Sequence, residues 1–318
     1  NAYYKCSCGK FSEDSAGAKP IADIDSWGNI AVNASNHNYK TNTAKATLTT
    51  NGSMVTACTL CGDVKSTKTI SYPKTFTLSK TSYTFDGYVK TPTVTVKDAA
   101  GKTLVKGTDY TVSYSSGRIN AGTYKVTVTM KGNYTGTKTL TFKIKPIDIS
   151  TCTVKLSSTS YTFNGSVRTP TVTVKKANGT ALTKDKSYTV TYASGRKNVG
   201  TYKVTVTMKG NYTGTKTLTF KINPPKTTVA SLTAGTKSIT VAVTKKTTQT
   251  TGYQIQYSTS KDFTNAKTKT ITSNTTTKAT LSSLTSAKTY YVRVRTYKTV
   301  NDVKYYSGWS EYKYVKTK

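Results

Sequence analysis

The chain has 318 residues, of which 47 are Lys or Arg and 13 are Asp or Glu, so its formal net charge is +34. It contains no run of about 18 apolar residues that would predict a membrane-spanning helix, and its single histidine leaves a hydrolase without the usual base near neutral pH. Charge of this size attracts polyanions such as cell-wall polymers, host glycans, phospholipid head groups or nucleic acid, although a solubilising lysine coat on sheet surfaces is the plainer interpretation.

Residues 1–72 form a predicted first segment that is set apart by its cysteines. Four cysteines lie there in two close pairs, each pair followed by glycine: Cys6, Cys8, Cys58 and Cys61. Such pairs can place thiolates on one structural zinc ion, which a segment with little core needs for stability. Disulfides between the pairs and free thiols remain open alternatives, because spacing this short strains a bridge within one pair. His37 has polar neighbours and is interpreted as a solvated loop histidine.

Parts of this segment resemble the short cysteine-pair modules of large surface proteins from Gram-positive anaerobic bacteria. The matching stretches are Tyr4–Ser12 with Gly17 and Ile21 after it, and His37–Tyr39, Lys45–Gly52 and Cys58–Gly62. The first pair is CxC where such modules carry CxxC. The resemblance implies a small zinc-ribbon-like fold and a place on a bacterial surface.

An internal repeat organises the middle of the chain. Gly122–Ile144 recurs unchanged as Gly200–Ile222, and the wider similarity keeps a constant offset of 78 residues. Apolar residues alternate with Lys and Thr, which predicts strands with one buried face and one wet face. The glycines of Lys131–Gly136 predict a hairpin connection. Six or so strands per copy therefore predict two consecutive antiparallel sandwiches, over residues 73–147 and 148–224.

Several motifs of each copy resemble bacterial immunoglobulin-like surface repeats. In the first copy they are Tyr83–Gly87, Gly107–Tyr114, Asn120–Thr123 and Gly132–Gly136. The resemblance implies stalk or spacer units that are sometimes adhesive. The short link Pro146–Ser150 predicts a semi-rigid, monomeric rod. Cys152 has no counterpart in the first copy and is interpreted as a buried lone thiol.

Residues 225–318 form a different predicted sandwich. Its strand series resembles a fibronectin type III domain, because Leu284 with Tyr290 matches the tyrosine-corner region and Tyr291–Arg295 matches the next strand. Val243 stands where that family keeps a core tryptophan. Such domains bind or space other modules, so the resemblance implies no catalysis.

A search for chemistry predicts no catalytic residue. The sequence has no opposed carboxylate pair, phosphate-binding glycine loop, nucleophile elbow or Cys/His dyad. Exposed aromatic rings could still stack on sugars or anchor a protein partner. The candidates are the hairpin-tip tyrosines and a late cluster, with packing as the plainer role for each: Tyr134, Tyr212, Tyr305, Tyr306 and Trp309.

The sequence thus predicts an all-β chain with a cysteine-pair segment, two immunoglobulin-like sandwiches and a fibronectin type III-like sandwich. The predicted function is a non-catalytic stalk or adhesion segment at the cell surface or in the cell wall. Three alternatives remain: a specific binder of a host protein or glycan, the accessory tail of a secreted enzyme, and a protein that binds polyanions or nucleic acid.

Overall fold

The computed structural model describes residues 4–5, 11–13, 19–21 and 37–318. Cys6 and Cys8 therefore lie outside the described residues. Within the described part, the regular structure is β-strand apart from one 3₁₀ turn, so the predicted all-β class is confirmed. The fold forms two compact units. One holds the described residues up to Thr81 with Lys90–Ser116 and Thr123–Phe142, and the other holds Ser82–Val89, Gly117–Gly122 and Lys143–Lys318.

The N-terminal segment contains two small antiparallel sheets. One consists of three very short strands: β1 (Tyr4–Lys5), β2 (Phe11–Ser12) and β3 (Pro20–Ile21). The other consists of three longer strands in the order β4-β5-β6: β4 (Tyr39–Ala44), β5 (Gly52–Cys58) and β6 (Val64–Ile70). Most side chains of β4 and β6 are exposed. Ala46 and Ile70 are buried in a cluster together with Val96 and Val128 of the first repeat, so the segment shares that repeat's core.

The first copy of the sequence repeat contains six strands. They are β7 (Pro73–Leu78), β8 (Ser82–Thr84), β9 (Val94–Asp98), β10 (Tyr110–Tyr114), β11 (Gly122–Met130) and β12 (Thr137–Lys145). β7 pairs with β9 and β10 pairs with β11, both antiparallel. β8 pairs in parallel with the end of β12, with Ser82 opposite Lys143 and Thr84 opposite Lys145.

The strands of the second repeat follow the short strand β13 (Ile147–Asp148) and the 3₁₀ turn Ile149–Thr151. Its strands are β14 (Thr153–Leu156), β15 (Ser160–Thr162), β16 (Val172–Lys175), β17 (Tyr188–Tyr192), β18 (Gly200–Met208), β19 (Tyr212–Thr213) and β20 (Thr215–Asn223). A four-stranded sheet in the order β15-β20-β18-β17 and the β14-β16 pair enclose one apolar cluster. In β18, Val204, Val206 and Met208 are buried while Lys203 and Thr207 are exposed, as the alternating pattern predicts.

The strands after the second repeat form a C-terminal module with a three-stranded and a five-stranded sheet. Its strands are β21 (Val229–Gly235), β22 (Ser238–Val243), β23 (Gly252–Ser258), β24 (Lys267–Ile271), β25 (Lys278–Leu281), β26 (Thr289–Val300), β27 (Val303–Tyr306) and β28 (Lys313–Lys316). The Tyr290 hydroxyl accepts a hydrogen bond from the Thr285 N–H at 3.1 Å, which is the contact that a tyrosine corner makes. Val243 is buried in the core.

Across the residues that the structure describes, no helix has the length and apolar character needed to cross a bilayer.

Candidate metal centre

The end of β5 brings two thiols and the histidine together. β5 ends at Cys58, and the following turn carries Cys61 back towards it, with the Gly62 N–H donating to the Cys58 carbonyl at 3.0 Å. Tyr39, the first residue of β4, lies opposite Cys58 in the antiparallel register, which places His37 beside the turn. The donor atoms of His37, Cys58 and Cys61 all lie within 4.8 Å of one another.

The contact between His37 and Cys61 corrects the sequence interpretation of this histidine. His37 Nδ1 lies 3.3 Å from Cys61 Sγ, and its ring stacks on Tyr39 with centroids 5.1 Å apart. His37 lies in the loop before β4, as the sequence predicts, but it is half-buried beside the thiols and not fully solvated. The hairpin register could have revealed it, because a residue just before β4 must face the turn after β5.

The surroundings of Cys58 favour its thiolate form. Hydrogen bonds from the backbone N–H groups of Cys61 and Leu60 lower the pKa of Cys58 to about 6, with smaller contributions in the same direction from His37 and the Cys61 side chain and with desolvation opposing them. Thiolate is the form that binds metals. Cys58 is buried and Cys61 is exposed, and neither is joined in a disulfide.

A second layer of contacts fixes this corner of the sheet. The Tyr39 hydroxyl donates to the Asp63 carboxylate at 2.7 Å, and this hydrogen bond raises the pKa of Tyr39 to about 12. The Asp63 carbonyl accepts the Cys58 N–H at 2.8 Å. Asp63 thus connects the start of β4, two residues after His37, to the cysteine turn, as outer-shell groups do around metal ligands.

Two sulfurs and one imidazole nitrogen form a soft donor set that suits zinc, which takes four ligands in structural sites. His37, Cys58 and Cys61 could supply three of them. Within the described residues, this is the one cluster of three or more His, Cys, Asp or Glu side chains placed to hold an ion. Cys6 and Cys8, the other predicted ligands, lie outside the described residues.

The aromatic side chains predicted as binding residues lie in different environments. Tyr134 is buried, so the exposed ring expected at that hairpin tip is not there. Tyr212 is half-buried and meets Phe85 edge to face at 5.8 Å. The Tyr305 hydroxyl lies 3.1 Å from the Thr201 hydroxyl.

Tyr306 and Trp309 belong to a stack on β26. The Arg295 guanidinium lies 4.0 Å from the Tyr306 ring and 4.2 Å from the Trp309 ring, and Arg293 lies 5.0 Å from Trp309. Arg293 and Arg295 also donate to Gln256 and Gln254, each at 2.7 Å. These cation–π contacts stabilise the outer face of the sheet, and the sequence interpretation missed the arginines that hold the two rings.

Comparison with known proteins finds a family match for both repeats. The family model described as the MBG domain matches residues 74–147 and residues 152–226. No curated protein matches the chain, and no catalytic family is among the matches.

Two solved structures of tandem domains are similar at 13% identity. One is the crystal structure of domains A168–A170 from titin, with a TM-score of 0.25, covering 88% of this chain and 98% of that one. The other is the crystal structure of chicken CNTN1 FN1–FN3 domains, with a TM-score of 0.29, covering 78% of this chain and 99% of that one.

Proposed function

We propose that this chain is a non-catalytic spacer of an extracellular, cell-surface or cell-wall protein, which holds neighbouring modules away from the surface. Two MBG domain matches in tandem and the uninterrupted series of β-sandwiches support this function. The expectation of a monomeric rod stays a prediction, and small-angle scattering of the whole chain tests it.

The observation that carries the proposal is the same parallel strand pair in both repeats. β15 pairs in parallel with β20, and the Phe163 N–H donates to the Asn223 carbonyl at 2.8 Å. In the first repeat β8 pairs in parallel with β12, and the Phe85 N–H donates to the Lys145 carbonyl at 2.8 Å. The early strand of each repeat is thus bonded directly to its last strand.

This geometry resists tension along the chain. In a parallel pair, a pull on the start of β15 and on the end of β20 slides one strand along the other, so that all their hydrogen bonds are loaded together. An antiparallel pair pulled from one end would instead open one bond at a time. The repeats are therefore built to stay folded under load, as a spacer requires.

Single-molecule extension of the full chain tests the proposal. We expect two high-force unfolding events, each with the length of one repeat. Phe163→Pro removes the N–H that bonds Asn223 and should move one event to low force, with a loss of about 1–3 kcal/mol in the stability of that repeat. Low-force unfolding of both repeats in the unmodified chain would overturn the spacer function.

Two control variants isolate the hydrogen bond from packing. Phe163→Leu keeps the backbone N–H and an apolar side chain, so it should retain the high force. Thr162→Pro alters the residue whose N–H points away from β20 in the alternating ladder, so it should also retain most of the force.

We further propose that His37, Cys58 and Cys61 hold a structural zinc ion, with Cys6 or Cys8 as the fourth ligand. The three converging donors support zinc over disulfides. Elemental analysis of the purified chain should find about one zinc per molecule, in keeping with a four-ligand structural site. Cobalt substitution should give the absorption bands of a tetrahedral thiolate site. A chain without zinc and with two fewer titratable thiols would favour a disulfide.

As for partners, we propose that the lysine faces contact an anionic wall polymer. Exposed lysines on the outer sides of the sheets support this, among them Lys203, Lys216 and Lys221 on β18 and β20. Binding of wall polymer to the full chain should weaken steeply as salt rises, because it rests on charge alone. Tighter binding of the chain to a host glycan, a host protein or nucleic acid than to wall polymer would contradict this assignment.

A further inference from the structure

The hairpin tip Lys-Gly-Asn-Tyr-Thr-Gly occurs twice, at 131–136 and 209–214, and each copy binds the chain segment that precedes its repeat. The Ala46 N–H donates to the Asn133 carbonyl at 3.0 Å, and the Ile147 N–H donates to the Asn211 carbonyl at 3.0 Å. Ala46 forms a parallel bridge with Tyr134, and Ile147 pairs in parallel with Tyr212. Two unrelated segments therefore dock on the same hairpin in the same register.

The side chain two residues further on makes the same contact in both places. A Cβ atom on Gly136 would lie 2.9 Å from Leu48 Cγ, and one on Gly214 would lie 2.8 Å from Ile149 Cγ2. Both glycines have positive φ angles, +114° and +96°. The docked segments, Ala46–Leu48 and Ile147–Ile149, share the pattern apolar-x-apolar, and the final glycine of the hairpin makes room for the second apolar side chain.

The loop that precedes β11 in the first repeat binds a side-chain amide of the next module in the chain. The Ala121 N–H donates to Asn211 Oδ1 at 2.7 Å, while Asn211 Nδ2 donates to Asn120 Oδ1 at 2.9 Å. The equivalent loop of the second repeat makes the same pair of bonds with the C-terminal module. There the Val199 N–H donates to Gln249 Oε1 at 3.0 Å, and Gln249 Nε2 lies 3.3 Å from Asn198 Oδ1.

Gln249 is held in a backbone conformation that is uncommon for a non-glycine residue. Its φ angle is +55°. Such conformations cost free energy and persist where surrounding contacts impose them. Gln249 lies in a turn, and this turn presents its side-chain amide to the Asn198–Val199 loop.

We infer that each repeat carries a two-part joint. Its head socket (residues 131–136 or 209–214) binds an apolar-x-apolar segment of the preceding module, whose first apolar residue pairs in parallel with the hairpin. Its foot clasp (residues 120–121 or 198–199) binds the side-chain carboxamide of the following module. The repeat thereby carries its own docking sites and can stand after a cysteine-pair segment or after another repeat. These docking sites would fix neighbouring modules of the proposed spacer to one another, so their role rests on that proposed function.

Amide hydrogen exchange in the full chain tests the foot clasp, with each junction as the control of the other. Asn211→Leu should accelerate exchange of the Ala121 N–H by about tenfold or more and leave the Val199 N–H unchanged. Gln249→Leu should do the reverse. Unchanged exchange at both amides, or equal acceleration of both in either variant, would overturn the clasp.

Leu48→Asp tests the head socket, with Thr47→Asp as the matched control. Leu48→Asp should accelerate exchange of the Ala46 N–H by about tenfold or more, because a carboxylate cannot be accommodated against Gly136. Thr47→Asp should have no effect, since the second docked segment carries Asp148 at that place. Equal exchange rates of the Ala46 N–H in the two variants would contradict the proposed head socket. Hydrogen exchange is measured without applied force, so it can contradict the docking sites even if both repeats unfold at high force. Low-force unfolding would likewise contradict the spacer function even if the exchange results agree with the docking sites.

Discussion

The N-terminal segment and the second repeat hold similar sheets together by different means. In the second repeat a closed cluster that includes Val204, Val206 and Phe220 lies between two sheets of the same domain. In the sheet β4-β5-β6 the side chains of β4 and β6 are mostly exposed, and the buried residues Ala46, just after β4, and Ile70, at the end of β6, pack into the cluster of the first repeat.

Within its described residues, the N-terminal segment lacks a closed apolar core of its own and must be stabilised by other contacts. A segment without a closed core gains little from the hydrophobic effect, so it depends on a neighbour at one end and on cross-linking side chains at the other. In this chain the neighbour is residues 131–136 of the first repeat, and under the proposed zinc site the cross-linking side chains would be His37, Cys58 and Cys61. The second repeat needs no such cluster, and its own cysteine, Cys152, lies buried within its apolar core as the sequence predicts.

The largest expected effect comes from opening the closed core. Phe220 is 1% exposed, so Phe220→Ala should lower the free energy of unfolding of the second repeat by about 3–5 kcal/mol. The matched change in the N-terminal segment, Val64→Ala, should alter stability by less than about 0.5 kcal/mol because Val64 is 55% exposed. Hydrogen exchange of β18 and β5 in the full chain, followed through a denaturant series, measures both. Equal losses in the free energy of unfolding would show that the two regions do not differ in how they are stabilised.

A smaller effect should follow removal of the metal. Zinc that binds only the folded segment adds about 2.7 kcal/mol when its free concentration is 100 times its dissociation constant. Chelation, or Cys58→Ser, should therefore accelerate amide exchange in β4 and β5 and leave β18 unchanged. Cys152→Ser removes a thiol elsewhere and should leave zinc stoichiometry and β5 exchange as they are. Loss of protection in β18 on chelation would show that the two regions are not stabilised independently.

The sequence was informative wherever structure depends on near neighbours. Alternation predicted the buried face of β18, and the glycines predicted the hairpin tips. The tyrosine corner of Tyr290 also followed from its local motif. The misses involve residues distant in sequence. Tyr134 is buried because it lies in a cluster with Ala46, which is far earlier in the chain, and the amide contacts of Asn211 and Gln249 depend on how successive modules meet. Two of the three residues in the candidate site, Cys58 and Cys61, were visible in the sequence, but His37 required the strand register.

The smallest expected effect is a pH dependence confined to the metal-free N-terminal segment. The folded pKa of Cys58, about 6, lies below its ordinary value of 9.0, so the thiolate stabilises the folded segment. That stabilisation is complete above the ordinary value and is lost as the pH falls through about 6. The NMR Cβ chemical shift of Cys58 in chelated protein, which does not require a reagent to reach this buried thiol, should therefore titrate with a midpoint near pH 6. His37→Ala should move this midpoint up only in part, because the N–H groups of Cys61 and Leu60 contribute more to the lowered pKa. A midpoint at the ordinary thiol value in the unmodified chain would mean that the turn after β5 does not hold these N–H groups against the sulfur, and the proposed zinc site would then lack its preformed thiolate.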